Sequence, residues 1–253
     1  MILITRPHKK AQQLATQLKK KNISSCIDSL FSFSLPTAKI NLKLYSDCLI
    51  ASTQAVNAIK EKHSNEIKYL KKCNLYVIGE ETAKALVAIK IKNIKKVFQN
   101  SDELACYLSS FNSDIKKLCY LSSNVKNTKL IKELTARKII YSRKIVYTVR
   151  AKKKFNFQTV NALKNKTIKA VTLYSMYSAH LYISHLTAAR VTKQAKMITH
   201  VCLSKDIARF MIKKGFKKVL SASKPTEASL IQAIRETVNS VSYTHLRAHE
   251  PRE

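Results

Sequence analysis

The residues best suited to chemistry are small and hydroxyl side chains that recur at one kind of place. Ser52-Thr53, Gly79 to Thr82, Ser122-Ser123, Ser175 and Ser204-Lys205 each follow a short apolar run and lead straight into an amphipathic stretch. A parallel strand that ends this way presents free backbone N–H groups at the positive end of a helix dipole, and small side chains let an anion approach them. Serine and threonine are also ordinary helix N-caps, so each junction taken alone has a purely structural explanation. Their repetition weakens that explanation without removing it, and it points to a small ligand carrying several negative charges.

Other chemistries find no support. The chain has two glycines, Gly79 and Gly215, so neither a G-x-G-x-x-G turn nor a G-x-x-x-x-G-K-[ST] loop can be written. H-E-x-x-H and G-x-S-x-G are absent as well. The seven histidines show no metal-ligand spacing; His180 and His185, five apart, would not share a helix face. Six scattered cysteines without a C-x-x-C pair read as reduced, mostly buried thiols of a cytoplasmic protein. A reaction that needs no cofactor and no metal is what remains for an enzyme.

The formal charge of +32 suggests a nucleic acid, an anionic membrane or a polyanionic small molecule as partner. Its texture tempers that suggestion. Nine arginines stand against 38 lysines, dispersed in short groups such as Lys19-Lys20-Lys21 and Lys152-Lys153-Lys154. Most of these belong on solvated faces, leaving a local subset to serve a polyanion. A lysine-rich nucleic-acid binder remains the rival reading, although no recognition module and no aromatic-interleaved basic stripe is visible. With no long uncharged apolar run, no membrane span is expected.

The elements that would position these junctions follow an α/β pattern with parallel strands. Strands are expected at Ile2–Thr5, Cys48–Ala51, Leu75–Ile78, Lys96–Phe98, Lys117–Leu121, Ile139–Val146, Ala170–Leu173, Ile198–Leu203 and Lys218–Ser221, with helices between them. Thr82 to Ile89 keeps apolar residues at helical spacing, Ser101 to Leu104 opens a helix with first-turn acids, and Thr226 caps the last one.

Laying the two halves over each other reveals a repeat. Asp47 to Ser52 matches Ala170 to Ser175, Gly79 falls over Ser204, and Leu104 over Leu230, in one order and at nearly one offset. The chain therefore reads as two similar parallel-sheet lobes. Residues 1–32 with 168–239 form a discontinuous first lobe, residues 38–145 a second, and residues 33–37 and 146–155 a two-stranded linker. The lysine-free segment 241–253, with His245 and His249, falls outside the repeat, resembles a non-native translated tail and is expected to lie outside the fold.

Taken together, these segments resemble the uroporphyrinogen-III synthase family. Ile2-Leu3-Ile4-Thr5-Arg6-Pro7 is similar to that family's opening, Asp47 to Ala58 (DCLIASTQAVNA) to its D-x-L-I-F-T-S-x-N-A-V segment, Val77 to Leu86 (VIGEETAKAL) to its V-G-x-x-T-A-x-A-L segment, and Pro225 to Leu230 to the start of its terminal helix. The resemblance spans residues 1–239. It implies two flavodoxin-like lobes joined by a two-stranded linker. It also implies a cofactor-free hydro-lyase that binds hydroxymethylbilane, a polycarboxylate, between them and closes it with the last pyrrole inverted through a spiro intermediate. A transient hand-over from hydroxymethylbilane synthase would follow; neither nucleic acid nor membrane is implied, and the absence of an extra apolar helix face points to a monomer.

The same resemblance supplies site residues. Tyr147, in Val146-Tyr147-Thr148-Val149, matches the tyrosine of the family's V-Y-x-T strand, which assists departure of the substrate hydroxyl; threonine follows it directly here, so a tyrosine that only packs the strand is the alternative. Ser52, Thr53, Gly79, Thr82, Ser122, Ser175, Ser204 and Lys205 are expected to bind substrate. Arg6 is either a fork for a substrate carboxylate or a clamp closing the first strand against a carboxylate of the protein. Ser204 stands where glycine is expected and Ile207 where threonine is, which leaves a two-lobed tetrapyrrole binder without catalytic power as a further alternative.

Overall fold

The computed structural model describes residues 1–36, 38–110 and 118–246, with side chains described to residue 237. The chain opens with β1 (Ile2–Ile4), α1 (His8–Lys19), β2 (Ser25–Ile27) and β3 (Phe31–Ser34). It continues through β4 (Asp47–Ile50), α2 (Thr53–Lys62), α3 (Ile67–Leu70), β5 (Asn74–Ile78), α4 (Glu80–Ala88), β6 (Ile94–Phe98) and α5 (Ser101–Ser110). Next come β7 (Leu118–Ser123), α6 (Thr128–Ala136), β8 (Tyr141–Ala151), α7 (Phe157–Lys164), β9 (Ala170–Leu173) and α8 (Met176–Ala188). Then α9 (Thr192–Ala195), β10 (Thr199–Cys202), α10 (Lys205–Lys213), β11 (Val219–Ser221) and α11 (Glu227–Leu246) complete it. Helix α11 thus continues into the segment expected to lie outside the fold. Lys117 of one expected strand and His249 of the tail lie outside the described residues, and His245 lies in α11 beyond the last described side chain.

The chain divides into two compact units, Met1–Ser32 with everything from Arg150 onward, and Phe33–Val149. Unit 1 holds a five-stranded sheet in the order β11-β10-β9-β1-β2. Numbered along their own chain, these strands lie 2-1-3-4-5, the flavodoxin-like order. The other sheet runs β6-β5-β4-β7-β8 with β3 beyond β8. It is the same spatial order entered from a different strand, with β4, β5 and β6 where unit 1 has β9, β10 and β11, and with β7 and β8 where unit 1 has β1 and β2. The α/β architecture with two parallel-sheet lobes is as read from the sequence. Strand β2 has no counterpart there: at three half-buried residues it carries too little periodicity to be seen.

Each sheet is covered on both faces, which is why its strands read as continuous apolar runs instead of alternating ones. Alternate residues feed opposite layers. In β1, Ile2 and Ile4 enter one core of unit 1 and Leu3 the other. In β4, Cys48 and Ile50 enter one core of unit 2 and Leu49 the other. Cys48, Cys73, Cys119 and Cys202 are buried free thiols.

Helix ends show what a chain with two glycines does in place of glycine. A Schellman closure needs a residue at positive φ just past the helix. Asn22, Lys90, Lys138 and Arg190 occupy that position at φ of 55 to 62°, and Gly215 does so after α10. The apolar residue that follows donates back to the last turn: Ile23 to Leu18, Ile91 to Leu86, Ile139 to Leu134, Val191 to Leu186 and Phe216 to Met211. That apolar contact holds the motif where the backbone preference of lysine or arginine opposes it. No helix among the described residues is long and apolar enough to cross a membrane.

Candidate functional site

In unit 2 the carboxyl ends of β7, β4 and β5 lie side by side and bring Ser122, Ser52 and Gly79 to one edge of the sheet. Ser52 is extended (φ −158°, ψ 133°) and caps α2, its Oγ accepting from the backbone N–H of Gln54 at 3.1 Å. Thr53 opens the helix behind it. Gly79 precedes α4 at φ 89°, ψ 132°, a conformation that glycine alone adopts without strain. Thr82, buried in the first turn, places Oγ1 3.9 Å from where a Cβ on Gly79 would stand.

Tyr147 reaches this edge through an irregularity of β8. Ser122 pairs with Ile145 and Ser123 with Tyr147, so β8 advances two residues while β7 advances one. The extra residue is Val146, and the bulge turns both Val146 and Tyr147 into the same core. The ring stands edge-on to Phe33 at 5.7 Å and is 8% exposed. Its hydroxyl donates to Ser52 Oγ at 3.2 Å. Two residues singled out separately from the sequence are thus hydrogen-bonded partners.

Ser122 is placed differently. Its Oγ accepts from Arg143 Nε at 2.7 Å and donates to Ser123 O at 3.2 Å, and Arg143 Nη2 also donates to Ser123 O. The hydroxyl is committed within the protein. Arg143, which sequence reasoning missed, braces the turn with two arms of its guanidinium and has no ion-pair partner among the described residues. The available signal was the basic pair Arg143-Lys144 placed directly before the apolar run Ile145-Val146-Tyr147 of the same strand. The Tyr120 hydroxyl beside it is pushed up to about 12, chiefly by burial, with the Arg143 charge opposing.

In unit 1 the corresponding strand ends, β1, β9 and β10, bring Arg6, Ser175 and Ser204 together. Ser175 caps α8 through a reciprocal box with Ser178: the Ser178 N–H donates to Ser175 Oγ at 3.1 Å and the Ser175 N–H to Ser178 Oγ at 3.0 Å. Its own hydroxyl faces Ser178 Oγ at 3.2 Å. Ser204 caps α10 with its Oγ 3.5 Å from the Ile207 N–H. Its backbone is extended at φ −140°, so the place of Gly79 in unit 2 is taken in unit 1 by a conformation any residue adopts. Ile207 sits in the core, 3% exposed. Lys205 is exposed as the first residue of α10, where a cation opposes the helix dipole unless an anion joins it.

Arg6 forms an ion pair with Glu227, the first residue of α11, and its guanidinium lies 4.1 Å from the centroid of the Tyr174 ring. Of the two roles open to it, the clamp on a carboxylate of the protein is the one it occupies here. The pairing also puts a carboxylate in the first turn of α11, where the dipole favours it. Burial pushes the Tyr174 hydroxyl well above its ordinary range, Arg6 opposing. No cluster of three His, Cys, Asp or Glu side chains among the described residues could hold a metal ion.

Comparison with known proteins gives these strand ends a context. The family model described as uroporphyrinogen-III synthase HemD matches residues 13–232. The crystal structure of uroporphyrinogen-III synthetase from Helicobacter pylori is similar with a TM-score of 0.62 at 17% identity, over 93% of this chain and 98% of that one. A mutant uroporphyrinogen III synthase from the extremely thermophilic bacterium Thermus thermophilus is similar with a TM-score of 0.65 at 11% identity, over 95% and 99% of the two chains. At such identities these two likenesses concern the fold. No curated protein matches the chain by sequence.

Proposed function

Because the chain belongs to the uroporphyrinogen-III synthase family, we propose that it is a lyase of tetrapyrrole biosynthesis that converts hydroxymethylbilane into the type III macrocycle. In this reaction the terminal hydroxyl leaves as water and the substituted carbon of the last pyrrole attacks the resulting azafulvene cation. The spiro intermediate then fragments and recloses with that ring inverted. The observation that carries the reading is the Tyr147 hydroxyl bonded to Ser52 at the carboxyl edge of the unit 2 sheet. It supplies a proton source next to a helix N-terminus, where acid assistance and carboxylate binding are needed together.

Substrate carboxylates are received by the backbone amides at the starts of α2, α4, α8 and α10, by the hydroxyl of Ser204, and by Lys205, whereas Ser52 and Tyr147 face the departing hydroxyl. Ser122 and Ser175, whose hydroxyls face inward, act through their backbones and through the shape of their turns. Such catalysis rests on holding a flexible bilane in the one conformation that attacks through the substituted carbon, an effect of positioning and preorganised dipoles. The chain acts as a cytoplasmic monomer in this reading.

The test is consumption of freshly prepared hydroxymethylbilane by purified protein against the enzyme-free rate at the same pH. Acceleration is expected. A rate equal to the blank, together with strongly salt-dependent retention on DNA, would select the nucleic-acid-binding rival instead.

A further inference from the structure

The hydrogen bonds around Ser52 have a direction, and the direction separates the roles of Ser52 and Tyr147. Ser52 Oγ accepts twice, from the Gln54 N–H at 3.1 Å and from the Tyr147 hydroxyl at 3.2 Å. A hydroxyl has two lone pairs and one proton. With both lone pairs taken, what Ser52 has left to offer is its own proton, for which no acceptor is recorded among the described residues. Two other strand-end serines differ: Ser122 donates to Ser123 O, and Ser175 faces Ser178 Oγ. Exposure points the same way, since Tyr147 is 8% exposed whereas Ser52 is half-buried.

We infer that Ser52 is the group that protonates the departing hydroxyl, and that Tyr147 stands behind it as the reservoir that reprotonates it. This deepens the proposed synthase reading and rests on it. The carbon–oxygen bond of the terminal hydroxymethyl group breaks with its electron pair going to oxygen. That oxygen takes the Ser52 proton and leaves as water, and Ser52 takes the Tyr147 proton in the same movement. The azafulvene cation and a tyrosinate remain. Attack through the substituted carbon releases no proton. After fragmentation and closure at the unsubstituted carbon, that carbon loses its hydrogen as a proton, which restores Tyr147. Substrate, product and water then balance. The β8 bulge acquires a purpose, because without Val146 as the extra residue the Tyr147 side chain would leave the face on which Ser52 lies.

The experiment measures kcat, KM and the solvent isotope effect on bilane consumption for the whole chain and its Ser52→Ala, Ser52→Asn, Ser52→Thr, Tyr147→Phe and Ser52→Ala/Tyr147→Phe variants. Asparagine caps α2 as well as serine does but passes no proton, so it separates loss of the relay from loss of the cap. Ser52→Asn and Ser52→Ala are each expected to lower kcat about 100-fold with little change in KM, and Ser52→Thr to restore most of it. Tyr147→Phe should also lower kcat, and the double variant should be no slower than Ser52→Ala alone, because both residues act on one proton. The solvent isotope effect should fall in every variant that breaks the chain. Wild-type turnover with an active Ser52→Asn variant, or with losses that multiply in the double variant, would overturn the relay and leave the synthase reading intact. A wild-type protein without turnover would overturn both.

Discussion

Arg143 reaches along its own sheet to hold Ser122 and Ser123, taking the Ser122 hydroxyl on Nε at 2.7 Å and the Ser123 carbonyl on Nη2. The Ser122-Ser123 turn is therefore a braced wall instead of a set of free donors, and the charge that braces it has no carboxylate of its own among the described residues.

Removing the brace should be felt in two quantities at once. Arg143→Gln is expected to destabilise unit 2 by about 1.5–3 kcal/mol, the range for losing a hydrogen bond from a charged group, and to lower kcat/KM for the bilane. Arg143→Lys keeps the charge and loses the fork, so it should recover part of the substrate affinity and little of the stability. Urea unfolding with steady-state kinetics checks both. Wild-type values in both variants would show that the turn holds itself.

Backbone conformation gives opposite predictions for two kinds of position. Lys90 and Lys138 sit at φ of 62° and 57° in Schellman closures. Lys90→Gly and Lys138→Gly should each stabilise the protein by roughly 0.5–1 kcal/mol despite glycine's greater freedom in the unfolded chain. Gly79→Ala should cost about 1–3 kcal/mol through strain at φ 89° alone, since no atom crowds the new methyl group. Shifts in thermal midpoint of one sign throughout would contradict this account of the closures.

Acid should destabilise unit 1 through a buried histidine. His200 is fully buried in β10, with Nε2 3.3 Å from the Tyr182 hydroxyl and the Phe216 ring centroid 4.5 Å away. Burial holds its pKa down at about 4 against an ordinary 6.5. A histidine kept neutral by folding binds its proton more readily when unfolded. Its contribution is thus present above pH 6.5 and is lost as the pH falls toward 4, a change on the order of 3 kcal/mol. Urea midpoints between about pH 7 and pH 4 should fall steeply for the natural chain and less so for His200→Asn. Equal slopes would place the acid sensitivity elsewhere.

Much of the architecture was legible because apolar runs and helix starts carry it. Nine expected strands correspond to β1 and β4–β11, and the match of Ser52 with Ser175 and of Gly79 with Ser204 locates equivalent helix caps in both units. What escaped is what depends on three-dimensional register. Strand β2 is too short to show a period. The β8 bulge is invisible in a run of apolar residues, yet it decides which face Tyr147 takes. Arg143 and Glu227 became meaningful only when strand ends and a helix start brought Ser122 and Arg6 to them. Hydroxyl direction, which separates Ser52 from Ser122 and Ser175, lies beyond any reading of residue types, because it depends on which neighbour offers a donor and which an acceptor.

Whether this chain inverts the last pyrrole is decided by the isomer ratio of the porphyrins recovered, after oxidation, from purified protein mixed with freshly made hydroxymethylbilane. Spontaneous closure yields the type I isomer, so an enzyme-free blank sets the reference. Predominant type III is the predicted result and would place ring inversion in this chain. Type I alone, at the ratio of the blank, would contradict the account and leave the fold employed for something other than the family's reaction.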